Sequence, residues 1–502
     1  MSQPAAVAVD FAPGLERAFE RVPEEGSHLL HASAGTVPAY VRGTWYCNGP
    51  ARFHRGGMRY RHWLDGDGMV CALAFGDGGA AAAAGEPSAR FTSRFVRSDK
   101  WRAEEEAGRF LYRAFGTAFA GDRLVRGIAL ESPVNVSVLP FAGTLLALGE
   151  QVMPWELDPA TLATRGRFNF GGGLNPVSPF AAHAKIDPET GELFNFGLSY
   201  SAAHPRLQLY RFDAAGRAVY RRHFALPHAC SLHDFCLTPR HAVFFVSPYL
   251  LDMAALARDG RTPMQALSWE PGRGSRLLVV ERAGGELVAT VPVGEGYVLH
   301  TVNGWEDDSG RLVLDVLELD RPVYDQYQEI PDLFTGVGPG RPVRLTVDLD
   351  RAELVARREI DYALAPDFPA MDPRLLGKPA DDLWLLGISA TGRPGRKFID
   401  QLVHARWSRP RELDVWQAPR GHYLAAEPVF VPDPAAPAGG PGGPAGTVIC
   451  PRFDAERGES AFLLFDAAEV AAGPRAVLPL PSPMHLAFHA IFAPRPAADS
   501  AC

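Results

Sequence analysis

The chain has no C-x-x-C pair, no H-E-x-x-H helix motif and no P-loop. Its six cysteines, Cys47, Cys71, Cys230, Cys236, Cys450 and Cys502, are scattered over 502 residues, which excludes a short-range zinc motif. Unpaired thiols in so long a chain point to a reducing compartment. No apolar run reaches the roughly 18 residues of a membrane helix. The opening MSQPAAVAVDF lacks the basic segment and apolar core of a signal peptide. No basic block interrupts a net charge of −8, so a nucleic-acid partner is not expected. These absences together predict a cytoplasmic protein. Helical periodicity is scarce too, with Lys100–Phe115 and Asp252–Arg258 as the candidates.

What the chain has is punctuation: 50 Gly and 44 Pro separate short apolar runs. Strand-turn-strand units are predicted with turns at Asp65–Gly68, Asp158–Thr161, Asp187–Gly191, Thr238–His241 and Asp307–Gly310. Gly76–Pro87 and Asp433–Gly446 are low-complexity and are expected to be exposed loops. Many short strands with few helices mean an all-β sandwich, barrel or propeller, and no WD or kelch repeat chooses among them. The triple glycine Gly171–Gly173 lacks the Lys-Ser/Thr of a P-loop, and Asp65–Met69 lacks the later ligands of an EF-hand, so both are turns.

The placement of four of the 15 histidines carries the functional signal. His183, His233 and His300 each stand just ahead of a short strand, a turn and a second strand, and His489 precedes the last strand-like run, AIFAP. In a radial fold the inner strands run close to one axis, and residues at their equivalent ends meet there. Four imidazoles meeting on an axis would make a metal site with no local motif, and imidazole suits Fe, Zn, Cu and Ni. Such ligands need partners for the second ring nitrogen, usually carboxylates. Glu150, closing the strand TLLALGE, and Glu427, opening EPVFV, are placed to supply them.

At these residues the chain resembles the carotenoid cleavage oxygenase family, from about Val37 to Pro494. The blocks run in order: VPAYVRGTWYCNGPARF, with Cys47 where the family usually has Arg; HWLDGDGMVCALAF; LLALGEQVMPWELDPATLATRG; AAHAKIDPETGELFNFG; LHDFCLTPRHAVFF; LHTVNGWEDD; EPVFVPDP; and LAFHAIFAP. The resemblance implies a seven-bladed β-propeller under a helix and loop cap. It implies Fe(II) on the axis, held by His183, His233, His300 and His489. His485 falls outside the family spacing. Behind the ligands the family places three Glu; Glu150 and Glu427 match two, and Asp367 stands at the third. Asp is one methylene shorter, so its contact is predicted to be shifted or water-mediated. Many of these oxygenases have Asn-Thr-Asn where this chain has Asn135, Val136 and Ser137, and the Thr approaches an open iron position. Val136 has no hydroxyl to offer there. A vertebrate retinoid isomerase of the family is also aliphatic at this point. Stilbene-cleaving members carry a phenol-binding Lys where this chain has Gly149.

The activity implied is O2-dependent cleavage of one conjugated C=C bond of a carotenoid or apocarotenoid into two carbonyl products. Two other readings stand beside it: a relative that cleaves stilbenes or isomerises a polyene, and a propeller that only binds. Residues 37–502 are expected to form the single propeller domain and 1–36 an N-terminal extension. A polyene needs an apolar tunnel. The run 247–264 is the expected mouth, where peripheral membrane contact would be driven by apolar area.

Overall fold

The computed structural model describes residues 9–76, 88–126, 129–199, 204–323, 328–440 and 443–495. Seven antiparallel sheets follow one another along the chain as propeller blades. Blade 2 runs outward through Ser137–Phe141, Thr144–Leu148, Trp155–Leu157 and Thr164–Arg167. Blades 3 to 6 repeat this four-strand meander, opening on Lys185–Ile186, Cys236–Leu237, Tyr297–Glu306 and Asp367–Ala370. Blade 7 is built on Gly446–Asp454, which pairs with both His422–Leu424 and Val429–Pro432. Blade 1 closes the ring: its innermost strand is the C-terminal Ala490–Pro494, paired with Gly43–Arg52.

The described residues before 37 are woven into this ring. Gly26–Leu30 pairs with Ala89–Phe95 at the rim of blade 1, and Ala34–Gly35 pairs with the outer strand of blade 7. Ala12, Leu15 and Phe19 are buried in the largest apolar cluster.

Blade-on-blade stacking explains the sequence pattern. Middle strands such as His241–Val246 (HAVFFV) are buried on both faces and read as continuous apolar runs. Rim strands such as Ala218–Ala225 keep only scattered buried positions. The turns at Asp187–Gly191 and Asp307–Gly310 form by one device. Asp187 Oδ1 accepts from the Glu189 amide at 2.8 Å and Asp307 Oδ1 from the Ser309 amide at 2.9 Å. Gly191 and Gly310 then take the left-handed φ of 69° and 79° that closes each turn.

Two expectations are corrected in detail. The helix predicted over Lys100–Phe115 is Asp99–Ala107, because Gly108 adopts a left-handed C-cap, and the Glu104 carboxylate then accepts from the amides of Leu111 and Tyr112. Asp65–Gly68 is no hairpin turn; Trp63–Asp65 is a single 3-10 turn leading into Asp67–Phe75, whose partner is Gly43–Arg52. Gly76–Pro87 falls almost wholly outside the described residues, whereas Asp433–Gly446, where described, is a largely exposed connection between paired strands.

Excursions between strands bring Tyr60, Trp63, Phe110, Tyr249, Phe334 and Phe398 into the same apolar cluster as Phe368. Phe368 carries that cluster to the axis, with its ring 5.6 Å from His300 and 5.3 Å from His489.

Candidate metal centre

Each blade delivers one residue to the axis. His183 and His233 stand just before the inner strands of blades 3 and 4, His300 lies within that of blade 5, and His489 precedes the closing strand of blade 1. The acids come from the other three blades: Glu150 after the second strand of blade 2, Asp367 at the start of blade 6 and Glu427 before Val429–Pro432 of blade 7. The four histidines present one nitrogen apiece, all within 4.8 Å of one another. The Nε2 atoms of His183 and His233 are 2.9 Å apart.

The opposite ring nitrogens meet carboxylates. Glu150 Oε1 is 2.7 Å from His233 Nδ1, Glu427 Oε2 is 3.4 Å from His489 Nδ1, and Asp367 Oδ1 contacts His300 Nδ1 directly. The predicted shift or water bridge at Asp367 is therefore replaced by a direct contact. The strand carrying Asp367 packs beside the His300 strand, which brings the aspartate within reach of Nδ1. A carboxylate behind Nδ1 fixes the proton there and leaves the Nε2 lone pair free for a cation. His300 Nε2 is buried and finds no hydrogen-bond partner among the described residues. The donor set thus fits a borderline divalent transition metal.

Electrostatics favour the neutral form at His183 and His489 and the charged form at His300. Burial and the imidazoles of His489, His233 and His300 push His183 well below the usual imidazole range. Burial also lowers His489, against the pull of Glu427. His300 is the exception: Asp367 overrides the burial penalty and raises it. Asp367 itself is held below the usual carboxylate range, as His300 outweighs burial.

His183 has no glutamate behind it, and here the sequence reading missed a partner. Asp234 Oδ1 lies 3.7 Å from His183 Nδ1, and the Lys185 ammonium binds the same oxygen at 2.8 Å. The other Asp234 oxygen accepts from the amide and hydroxyl of Thr301. Asp234 lies in the segment just ahead of Cys236–Leu237 and faces His183 rather than its neighbour His233. The His-Asp dipeptide was the available signal.

Val136 is buried beside the centre, and its carbonyl accepts from the His489 amide at 3.3 Å. Non-glycine residues at positive φ flank the site: Val134 before Val136, Gln151 after Glu150 and Phe368 after Asp367, at 51°, 58° and 51°. Such backbone costs of order 1–3 kcal/mol each and is held by surrounding structure at functional sites.

In the run 247–264, Tyr249, Ala255, Leu256 and Met264 are buried. Its exposed residues include Asp252, Arg258, Asp259 and Arg261, so no large apolar side chain is displayed there. No helix among the described residues is long and apolar enough to cross a membrane.

Residues 19–494 match the family model described as retinal pigment epithelial membrane protein. The chain is 28% identical to apocarotenoid-15,15'-oxygenase of Synechocystis sp., covering 93% of this chain and 94% of the relative. It is equally 28% identical to isoeugenol monooxygenase of Pseudomonas nitroreducens, over 92% and 94%. Lignostilbene-alpha,beta-dioxygenase isozyme III of Sphingomonas paucimobilis matches at 28% over 83% and 85%. Among solved structures, a Synechocystis apocarotenoid oxygenase superposes with a TM-score of 0.85 at 25% identity, covering 96% of this chain and 98% of that one.

Proposed function

This chain belongs to the retinal pigment epithelial membrane protein family, that of the carotenoid oxygenases, and we propose that it is an iron(II)-dependent dioxygenase cleaving a conjugated C=C bond of a carotenoid or apocarotenoid. The observation that carries the reading is the convergence of His183, His233, His300 and His489, three of them backed by a carboxylate. Iron(II) held there would supply the redox chemistry that lets O2 react with an electron-rich alkene. The reaction balances without a reductant: one C=C bond and one O2 give two C=O groups. The chain's part is to orient the four imidazoles, to keep water out and to hold the polyene. Phe368, and through it the aromatic cluster of Trp63, Phe334 and Phe398, supplies the apolar wall on the axis side.

A phenylpropenoid alkene is the second reading, favoured by equal identity to the isoeugenol and lignostilbene enzymes. Position 149 speaks against a stilbene-type phenol contact. A Cβ on Gly149 would lie 2.7 Å from Ser132 Oγ and 3.0 Å from Val134 Cα, so this backbone leaves no room for a lysine there.

The test is metal content of purified protein together with O2-dependent turnover of apocarotenals, isoeugenol and a stilbene. One iron per chain and two carbonyl products from a polyene support the proposal. Turnover of the aromatic alkenes alone moves the protein to the second reading. A polyene product with an unbroken chain and altered geometry means isomerisation and defeats both.

A further inference from the structure

Away from the axis, blade 1 holds a second cluster of ligating groups. Cys47 and Cys71 are directly opposed on the neighbouring strands Gly43–Arg52 and Asp67–Phe75. His485, from the segment that leads into the closing strand, completes a triad whose donor atoms all lie within 4.8 Å of one another. Cys47 and Cys71 are 0% exposed and His485 is 1% exposed. Neither ring nitrogen of His485 has a hydrogen-bond partner among the described residues. A buried imidazole with both nitrogens unsatisfied is costly unless something takes them up.

The approach is built into the backbone. Gly49 has no side chain where a Cβ would stand 2.4 Å from Ala487 Cα and 3.0 Å from the His485 ring, so this segment packs flat on the strand. The Asn48 carbonyl accepts from the Phe488 amide at 3.0 Å, and the Leu486 carbonyl accepts from Trp63 Nε1 at 2.9 Å. These contacts fix His485 over the two sulfurs.

We propose that Cys47, Cys71 and His485 form a second metal site, which takes a thiophilic divalent ion of the Zn(II) class and ties the closing segment to blade 1. Two thiolates and one imidazole are a soft donor set. Zinc–sulfur bonds of about 2.3 Å and zinc–nitrogen bonds of about 2.0 Å place such donors roughly 3.5–3.8 Å apart, inside the 4.8 Å that bounds the triad. Binding releases the two thiol protons, and two negative sulfurs against a divalent cation leave an apolar pocket neutral. A monovalent ion would leave net charge there. Cys47 pairs across the strands with Ala490, the neighbour of His489, so an ion on Cys47 would brace the segment that carries an axial histidine.

The site is sealed, so the metal must enter as the chain folds. The experiment is expression in cobalt-supplemented medium, followed by the absorption spectrum and cobalt content of the whole protein. The expected result is a sulfur-to-cobalt charge-transfer band in the near ultraviolet, which four imidazoles cannot produce. Cys47→Ser and His485→Gln should each abolish that band and lower cobalt by one per chain while far-ultraviolet circular dichroism stays unchanged. The wild-type spectrum decides the matter even where a variant fails to fold. Cobalt-loaded protein without a sulfur band overturns the proposal, as does a band that survives in both variants. A Cys47–Cys71 disulfide in freshly isolated protein, seen by mass spectrometry, overturns it equally.

Discussion

The Asp367 carboxylate reaches His300 Nδ1 directly, while its Oδ1 also accepts from the amide of Phe368 at 2.9 Å. The aspartate is thereby fixed by its own backbone before it fixes the histidine. Loss of a carboxylate behind a metal-bound histidine commonly costs 10–100-fold in metal affinity. Asp367→Asn should therefore weaken iron binding by that order, as read by chelator competition. An unchanged affinity would show that the contact does not orient His300.

His233→Ala should lose both iron and turnover, because it removes a donor that sits 2.9 Å from His183 Nε2 and strands Glu150. Metal analysis of purified protein checks this. Full occupancy in the variant would remove His233 from the ligand set.

At Gly149 even a methyl group has no space, so Gly149→Ala should destabilise the fold by about 1–3 kcal/mol, the usual cost of overpacking. Thermal denaturation measures it. A wild-type Tm would mean that position 149 can host a side chain, and the case against a phenol-binding residue there would fall.

Lys100 is buried between Asp67 at 2.9 Å and Glu104 at 2.7 Å. Lys100→Met strips the ammonium from both acids, leaving Asp67 with Arg55 and Glu104 with two backbone amides, and should cost about 3–5 kcal/mol in chemical denaturation. The pH dependence has a definite sign. Lys100 and Arg55 outweigh burial and hold the Asp67 carboxyl below its ordinary value. A depressed carboxylate contributes stability above its unfolded pKa and loses it as pH falls through the folded one. The wild type should weaken across that acid range. Lys100→Met, already lacking most of this contribution, should show a shallower acid slope; a slope as steep as wild type would place the acid sensitivity elsewhere.

The strand content was legible because alternating burial and Asp-Gly turns are local. Asp187 with Gly191 and Asp307 with Gly310 close their turns through contacts a few residues apart. The extent of the Lys100–Phe115 helix was less so: Gly108 stops it at Ala107, and the remainder is held by Glu104 rather than by helical bonds. Asp234 escaped notice because its partner His183 is on another blade, and its neighbour His233 faces the other way.

His183, His233, His300 and His489 could be picked out from the chain alone, since each stands before or within the first strand of a hairpin or the closing strand and the order of blocks matches a known family. Which carboxylate stands behind which histidine was not written there. Those pairs join residues 83, 67 and 62 positions apart, as the numbering of Glu150–His233, His300–Asp367 and Glu427–His489 gives. The Cys47–Cys71–His485 cluster was hidden for the same reason, with the last member more than 400 residues from the others. Sequence determines the local elements because backbone sterics and short hydrogen bonds act over a few residues. Only ring closure, which lays Ala490–Pro494 against Gly43–Arg52, brings the distant groups within bonding distance.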